Sequence, residues 1–109
     1  MTIRLGGTKK QIRILSNGKI SAGDRRTHTT ADKKQGGPDR VQWIKQGGGL
    51  ATYIIRFERS PFQSGPQDIK VPPGKPHPVS QPPGVYKYSV YEVVNGKEKL
   101  RDDPDVIID

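Results

Sequence analysis

An all-β sandwich of two packed sheets is the architecture this sequence predicts, and three observations carry the prediction. The longest β-favouring run, Gly84–Val94 (GVYKYSVYEVV), sets Tyr86, Tyr88 and Val90 against Lys87 and Ser89. That period of two marks a strand with one buried face and one wet face. Only 30% of the 109 residues are apolar, so the core is thin, which suits two sheets of short strands better than a large α/β fold. With 13 Gly and 10 Pro, turns are plentiful, and no apolar period of 3.6 residues is sustained over three helical turns.

In chain order, residues 11–15 (QIRIL) alternate apolar with polar and read as a strand. Ser16-Asn17-Gly18-Lys19 holds the Asn-Gly pair that favours a tight turn, and residues 20–22 return as the second arm of a hairpin. Residues 25–30 (RRTHTT) have β-branched threonines but little to bury, which fits an edge strand or an ordered loop. Residues 32–38 are polar and glycine-rich and read as a flexible connection. The chain therefore divides into a basic N-terminal hairpin or extension, 1–37, and a main sandwich, 38–109, within a single domain.

The main part opens with Val41 and Trp43 on one face of a strand and Gln42 and Ile44 on the other, followed by a glycine loop at 46–49. Residues 50–57 (LATYIIRF) form the second strong strand, with Tyr53, Ile55 and Phe57 on one side. Residues 59–67 read as a turn-rich connection, and Asp68–Val71 as a brief strand. Residues 71–84 contain six prolines, which cannot donate to a β ladder, so this stretch is expected to cross outside the sheets. It serves either as a stiff link or as a polyproline ligand through Pro73-x-x-Pro76. Asn95-Gly96 marks another tight turn, 97–103 is charged, and 104–109 (PDVIID) closes the sheet as a terminal strand. The expected core is Val41, Trp43, Tyr53, Ile55, Phe57, Ile69, Tyr86, Tyr88, Val90, Val106 and Ile108.

Charge and chemistry narrow the function classes. The net charge is +8, and residues 1–37 hold +7 of it: nine Lys/Arg against two Asp. Such asymmetry points to an acidic partner: a protein, a nucleic acid or an anionic surface. The absence of cysteine removes disulfides and thiolate chemistry. Residues 1–10 contain no apolar signal region, and no run approaches the ~18 residues that span a membrane, so a cytoplasmic location is expected. The two histidines, His28 and His77, lie far apart in plain loop contexts, which suits neither a hydrolytic triad nor a metal site. Gly6-Gly7-Thr8-Lys9 is glycine-rich beside lysine but lacks the strand and helix of a phosphate loop. The Asp102-Asp103-x-Asp105 cluster reads as a solvated turn ahead of the last strand.

The order of elements resembles the cupredoxin family. The residues that carry the likeness are Asp39-x-Val41-x-Trp43, the glycine loop, the strand ending at Phe57, Val71-Pro72-Pro73-Gly74, Pro83–Tyr88 and 103–108 (DPDVII). Over 39–109 this resemblance implies a Greek-key sandwich. It implies no copper centre, because Tyr53 stands where the family's first histidine lies and Val90 where its cysteine lies. Tyr53, in a former ligand position near the sandwich's end, is expected to be less buried than the rest of the core.

The function these readings predict is a non-catalytic, metal-free and cofactor-free binding module that contacts an acidic protein. Its predicted partner-binding residues are Lys9, Lys10, Arg13, Arg25, Arg26, Lys33 and Lys34, with Phe62 as an exposed anchor if the loops at 47–49, 60–62 and 79 gather at one end, or else folded under as a cap on the core. The alternative is a sequence-nonspecific nucleic-acid binder, held by phosphates, since no aromatic residue lies in 1–37 for base stacking. A small hydrolase or a noncanonical copper protein is the third class.

Overall fold

The structure, a computed structural model, describes residues 8–31, 38–47, 49–62 and 68–109. The strands among them are β1 (Lys9–Ile14), β2 (Arg26–Thr29), β3 (Arg40–Lys45), β4 (Thr52–Phe57), β5 (Asp68–Val71), β6 (His77–Pro78), β7 (Gly84–Val94), β8 (Lys97–Asp102) and β9 (Asp105–Ile108). A single 3-10 turn, Ala22–Asp24, lies between β1 and β2. No helix among the described residues is long and apolar enough to cross a membrane.

Two mixed sheets pack around one core. The smaller runs β1-β3-β6, and the larger runs β2-β9-β7-β4-β5 with β8 also joined to β7. Strand β7 organises the larger sheet, as its length and alternation lead one to expect. One of its edges carries β4; the other carries β9 along Gly84–Lys87 and then β8 along Val90–Val94. The handover is marked by a bulge: Val90 pairs with Asp102 and Tyr91 with Leu100, leaving Arg101 as the extra residue. Along β4 the pairing is unbroken, so Tyr91 and Val93 face outward with Ile54 and Thr52. The apolar residues on both sides of β7 beyond Val90 thus reflect an outward apolar row, not a loss of strand geometry.

All eleven expected core residues are buried. Tyr53 is only 1% exposed, contrary to the expectation that it lies nearer solvent. It pairs across β4 and β5 with Val71, which is buried on the same inner face. Ile12, Ile14, Ile20, Phe62, Val71 and Val79 complete the core. Trp43 of the smaller sheet meets the rings of Phe57 and Tyr88 from the larger one. Edge-on aromatic pairs of this kind add about 0.5–1.5 kcal/mol each beyond the area they bury.

The N-terminal third is part of the sandwich. β1 runs parallel to β3, and β2 runs parallel to β9, so the segment supplies one strand to each sheet. The Asn17-Gly18 turn forms as expected: Gly18, at φ +83°, donates its N–H to the Leu15 carbonyl (2.9 Å), and the Leu15 N–H donates to Lys19 (2.8 Å). The returning arm is one bridge, Ile14 to Ile20, before the chain turns away toward β2. The expected connections at 32–37 and 63–67 lie outside the described residues.

The proline-rich stretch does pass from one sheet to the other, but its middle joins the smaller sheet. Val41 pairs with His77 and Arg40 with Pro78 as β6, an edge position where the missing proline N–H costs no ladder bond. Val79 follows, fully buried, and donates its N–H to the Asp39 carbonyl at 3.0 Å. Gly74, at φ +60°, lies so close to the Trp43 carbonyl oxygen that a Cβ there would approach to 2.3 Å.

Candidate functional site

The cations expected to form one surface occupy three different settings. Parallel pairing of β1 with β3 places Lys9 beside Arg40, Gln11 beside Gln42 and Arg13 beside Ile44. Ile12, Ile14, Val41 and Trp43 fill the inner face, so the alternating residues Lys9, Gln11, Arg13, Arg40 and Gln42 face outward. Gln11 Nε2 donates to Gln42 Oε1 at 3.4 Å. Lys9 and Arg40 are both exposed, and neither has an ion-pair partner among the described residues. Lys10 points the other way, half-buried, and helps line an open cleft of about 400 Å³ with His28, Thr30 and Asp109.

Arg13, Arg25 and Arg26 form the second setting, and each is already matched to a carboxylate. Arg13 Nε donates to Asp24 at 3.1 Å, and the same carboxylate oxygen accepts the Arg13 main-chain N–H at 3.0 Å. Arg25 pairs with Asp102, which also accepts the Ile20 N–H at 2.9 Å. Burial opposes ionisation of Asp102, yet its bonds to Arg25 and to main-chain N–H groups hold the carboxyl below its ordinary range. Arg26 lies 3.8 Å from Asp105 and remains 74% exposed. His28 Nδ1 continues the series at 3.1 Å from Asp109.

The aspartates at 102–105 are therefore more than a solvated turn. Asp102, Asp105 and Asp109 oppose Arg25, Arg26 and His28 along and just ahead of the parallel β2–β9 pair, in which Arg26 is in register with Asp105. The partners lie 77 positions apart for Arg25 and Asp102, so no local pattern signals them. Beside them is an open cleft of about 380 Å³ lined by Arg25, Arg26, Asp103 and Asp105. Its charges are of both signs, and its lining holds no histidine and no hydroxyl side chain.

The third setting lies outside the described residues: Lys33 and Lys34. Phe62 overturns its expected role as an exposed anchor. It is 3% exposed and sits edge-on to Trp43 and Phe57, at 6.2 Å and 5.7 Å between ring centroids, because the bridge to Val79 draws it under the sheets. His77 lies against Phe62, where burial pushes its pKa down. Among the described residues no group of three His, Asp or Glu side chains is placed to hold a metal ion.

Arg40 is the residue that sequence reasoning overlooked. Its outward parity with Val41 and Trp43 was readable, but its neighbour Lys9 is brought in by a strand pairing that only the fold supplies. Family models, curated proteins and solved structures yield no match to this chain.

Proposed function

We propose that this protein is a binding module, without catalytic chemistry or a bound metal of its own, that holds an acidic protein on the outer face of its smaller sheet. The observation that carries this reading is the adjacency of Lys9 and Arg40, two exposed cations with no carboxylate partner among the described residues. The arginines of β2 contribute less, because docking there competes with Asp102 and Asp105. With this goes the reading of the two sheets as a cupredoxin-like Greek key whose copper positions have become core. Its support is that Tyr53 and Val90, the residues at those positions, are both buried.

The test is fluorescence anisotropy with poly-L-glutamate, comparing the native chain with Lys9→Glu/Arg40→Glu. Loss of affinity by about tenfold or more, ~1.4 kcal/mol, is expected, and unchanged affinity rejects the surface. A duplex oligonucleotide titrated at two salt concentrations separates the nucleic-acid alternative. Tighter binding to the duplex than to polyglutamate, falling steeply with salt, would transfer the surface to phosphate recognition.

A further inference from the structure

The larger sheet carries a second surface, remote in sequence from the N-terminal cations. On its outer face Lys70, Ile54, Tyr91 and Leu100 stand in register across β5, β4, β7 and β8. Ile54 and Tyr91 are half-buried, and Leu100, at the end of the row, is 59% exposed. Beyond Leu100 the row stops, because β8 pairs only with β7 among the described residues.

The free edge of β8 offers main-chain groups as well. Asn95 and Gly96, at φ 51° and 76°, form the two-residue turn that closes on the pair Val94–Lys97. Counting the antiparallel alternation from that pair leaves the N–H and C=O groups of Glu98 and Leu100 directed away from β7. Residues 97–100 are all exposed.

The side chains along this edge differ between its two faces. Glu98 shares the outer face with Leu100, but Arg56 neutralises it, donating to its carboxylate at 2.8 and 3.0 Å. Lys97 and Lys99 point to the opposite face. The carboxylate across from Lys99, Glu92, is taken by Arg101 at 2.9 Å. The edge thus shows an apolar residue on one face and, on the other, two lysines without an ion-pair partner among the described residues.

We infer that β8 is a docking edge for an extended segment of another polypeptide in which apolar and acidic residues alternate. The incoming strand bonds to the main chain at Glu98 and Leu100, extends the row Ile54–Tyr91–Leu100 with an apolar side chain, and turns its carboxylates toward Lys97 and Lys99. Main-chain bonding supplies the affinity and the alternating side chains the selectivity. A second copy of this chain does not suit the edge. Two-fold antiparallel pairing centred on Glu98 opposes Glu98 to itself and Lys97 to Lys99; centred on Lys99, it opposes Lys99 to itself and Lys97 to Arg101. Like charges directly opposite one another destabilise a ladder.

The test uses the full chain, isotopically labelled, titrated with a blocked heptapeptide of alternating valine and glutamate and followed by NMR. The expected result is that the Glu98 and Leu100 amides shift and gain protection from hydrogen exchange. The same peptide N-methylated on its pairing side should not bind. Leu100→Asn, or Lys97→Glu/Lys99→Glu, should weaken binding by about tenfold, while Lys9→Glu/Arg40→Glu leaves it unchanged and so separates this site from the surface proposed above. Three results would overturn the inference: silent Glu98 and Leu100 amides, equal binding of the methylated peptide, or a dimer abolished by Leu100→Asn.

Discussion

Trp43 of β3 and Tyr88 of β7 meet edge to face between the two sheets, with ring centroids 5.3 Å apart and planes at 83°. The rings sit at the centre of the core, but their polar ends gain nothing from it. Among the described residues neither Trp43 Nε1 nor the Tyr88 hydroxyl has a partner at hydrogen-bonding geometry, and burial pushes the Tyr88 phenol above its ordinary pKa. The aromatic surface stabilises the contact, while the buried hydroxyl opposes it.

Tyr88→Phe is therefore expected to leave stability unchanged or raise it by about 1 kcal/mol, since an unsatisfied buried polar group costs about 1–3 kcal/mol. Tyr88→Ala should cost about 3–5 kcal/mol by opening a cavity against Trp43 and Phe57. Urea denaturation measures both. A clear loss in the phenylalanine variant would show that the hydroxyl is bonded.

The Arg25–Asp102 pair sets an acid limit on the fold. Asp102, Asp68 and Glu98 all have carboxyl pKa values held down in the folded state, Asp102 through Arg25 and the other two chiefly through Arg56. A carboxyl lowered by folding stabilises the native state above its unfolded value, about 4, and that stability is lost as pH falls through the folded value. From the three carboxyls the loss of stability should set in below about pH 4, and the lowered His77 adds an earlier, smaller loss as pH falls below about 6.5. Arg25→Ala leaves a buried carboxylate with main-chain donors alone, and should cost about 1–3 kcal/mol at neutral pH. Thermal unfolding measured across pH tests both, and the variant's acid decline should be shallower, because Asp102 has lost the partner that lowers its pKa.

Two glycines with positive φ should respond differently to alanine. At Gly96, φ +76°, nothing lies within 4 Å of an added Cβ, so Gly96→Ala pays only for the backbone conformation, about 1–2 kcal/mol. At Gly74 the added Cβ also meets the Trp43 carbonyl oxygen, which β3 holds in place. Gly74→Ala should be the costlier by about 2 kcal/mol or more. Equal melting temperatures for the two variants would contradict this account.

Asp39 ties the two N-terminal strands to the smaller sheet. Its carboxylate is buried and accepts the Thr8 N–H at 2.9 Å and the Thr30 N–H at 3.1 Å, ahead of β1 and after β2. Asp39→Ala should cost about 1–3 kcal/mol. Amide exchange should accelerate at Thr8 and Thr30 before it does at Val90, which lies in the middle of β7.

Much of the framework was legible because it is local. Alternation identified β4 and β7, Asn-Gly pairs located two turns, and the inward parity of Trp43, Tyr86 and Tyr88 named the centre of the core. What could not be read depends on pairings between distant segments. Nothing near Ile12 shows that β1 lies parallel to β3, and nothing near Arg25 shows that Asp102 will face it. The candidate site shifted for the same reason: cations counted in 1–37 turned out to be matched by aspartates in 102–105, while Lys9 gained Arg40. Phe62, in a turn-rich setting beside Pro61, is open in the sequence to either an exposed anchor or a cap folded under the core, and the bridge to Val79 goes with the buried outcome.

The parallel pair β2–β9 also bears on how fast the molecule forms. Arg26 reaches Asp105 only after nearly the whole chain has been gathered around β7, and the entropy lost in closing so long a loop is spent before the contact returns anything. Topologies dominated by such distant pairings refold in roughly milliseconds to seconds, well behind helical proteins of the same size. The edge strand bearing Arg26 and His28 should accordingly be among the last parts to gain protection during refolding, after the hairpin of β7 and β8 has formed.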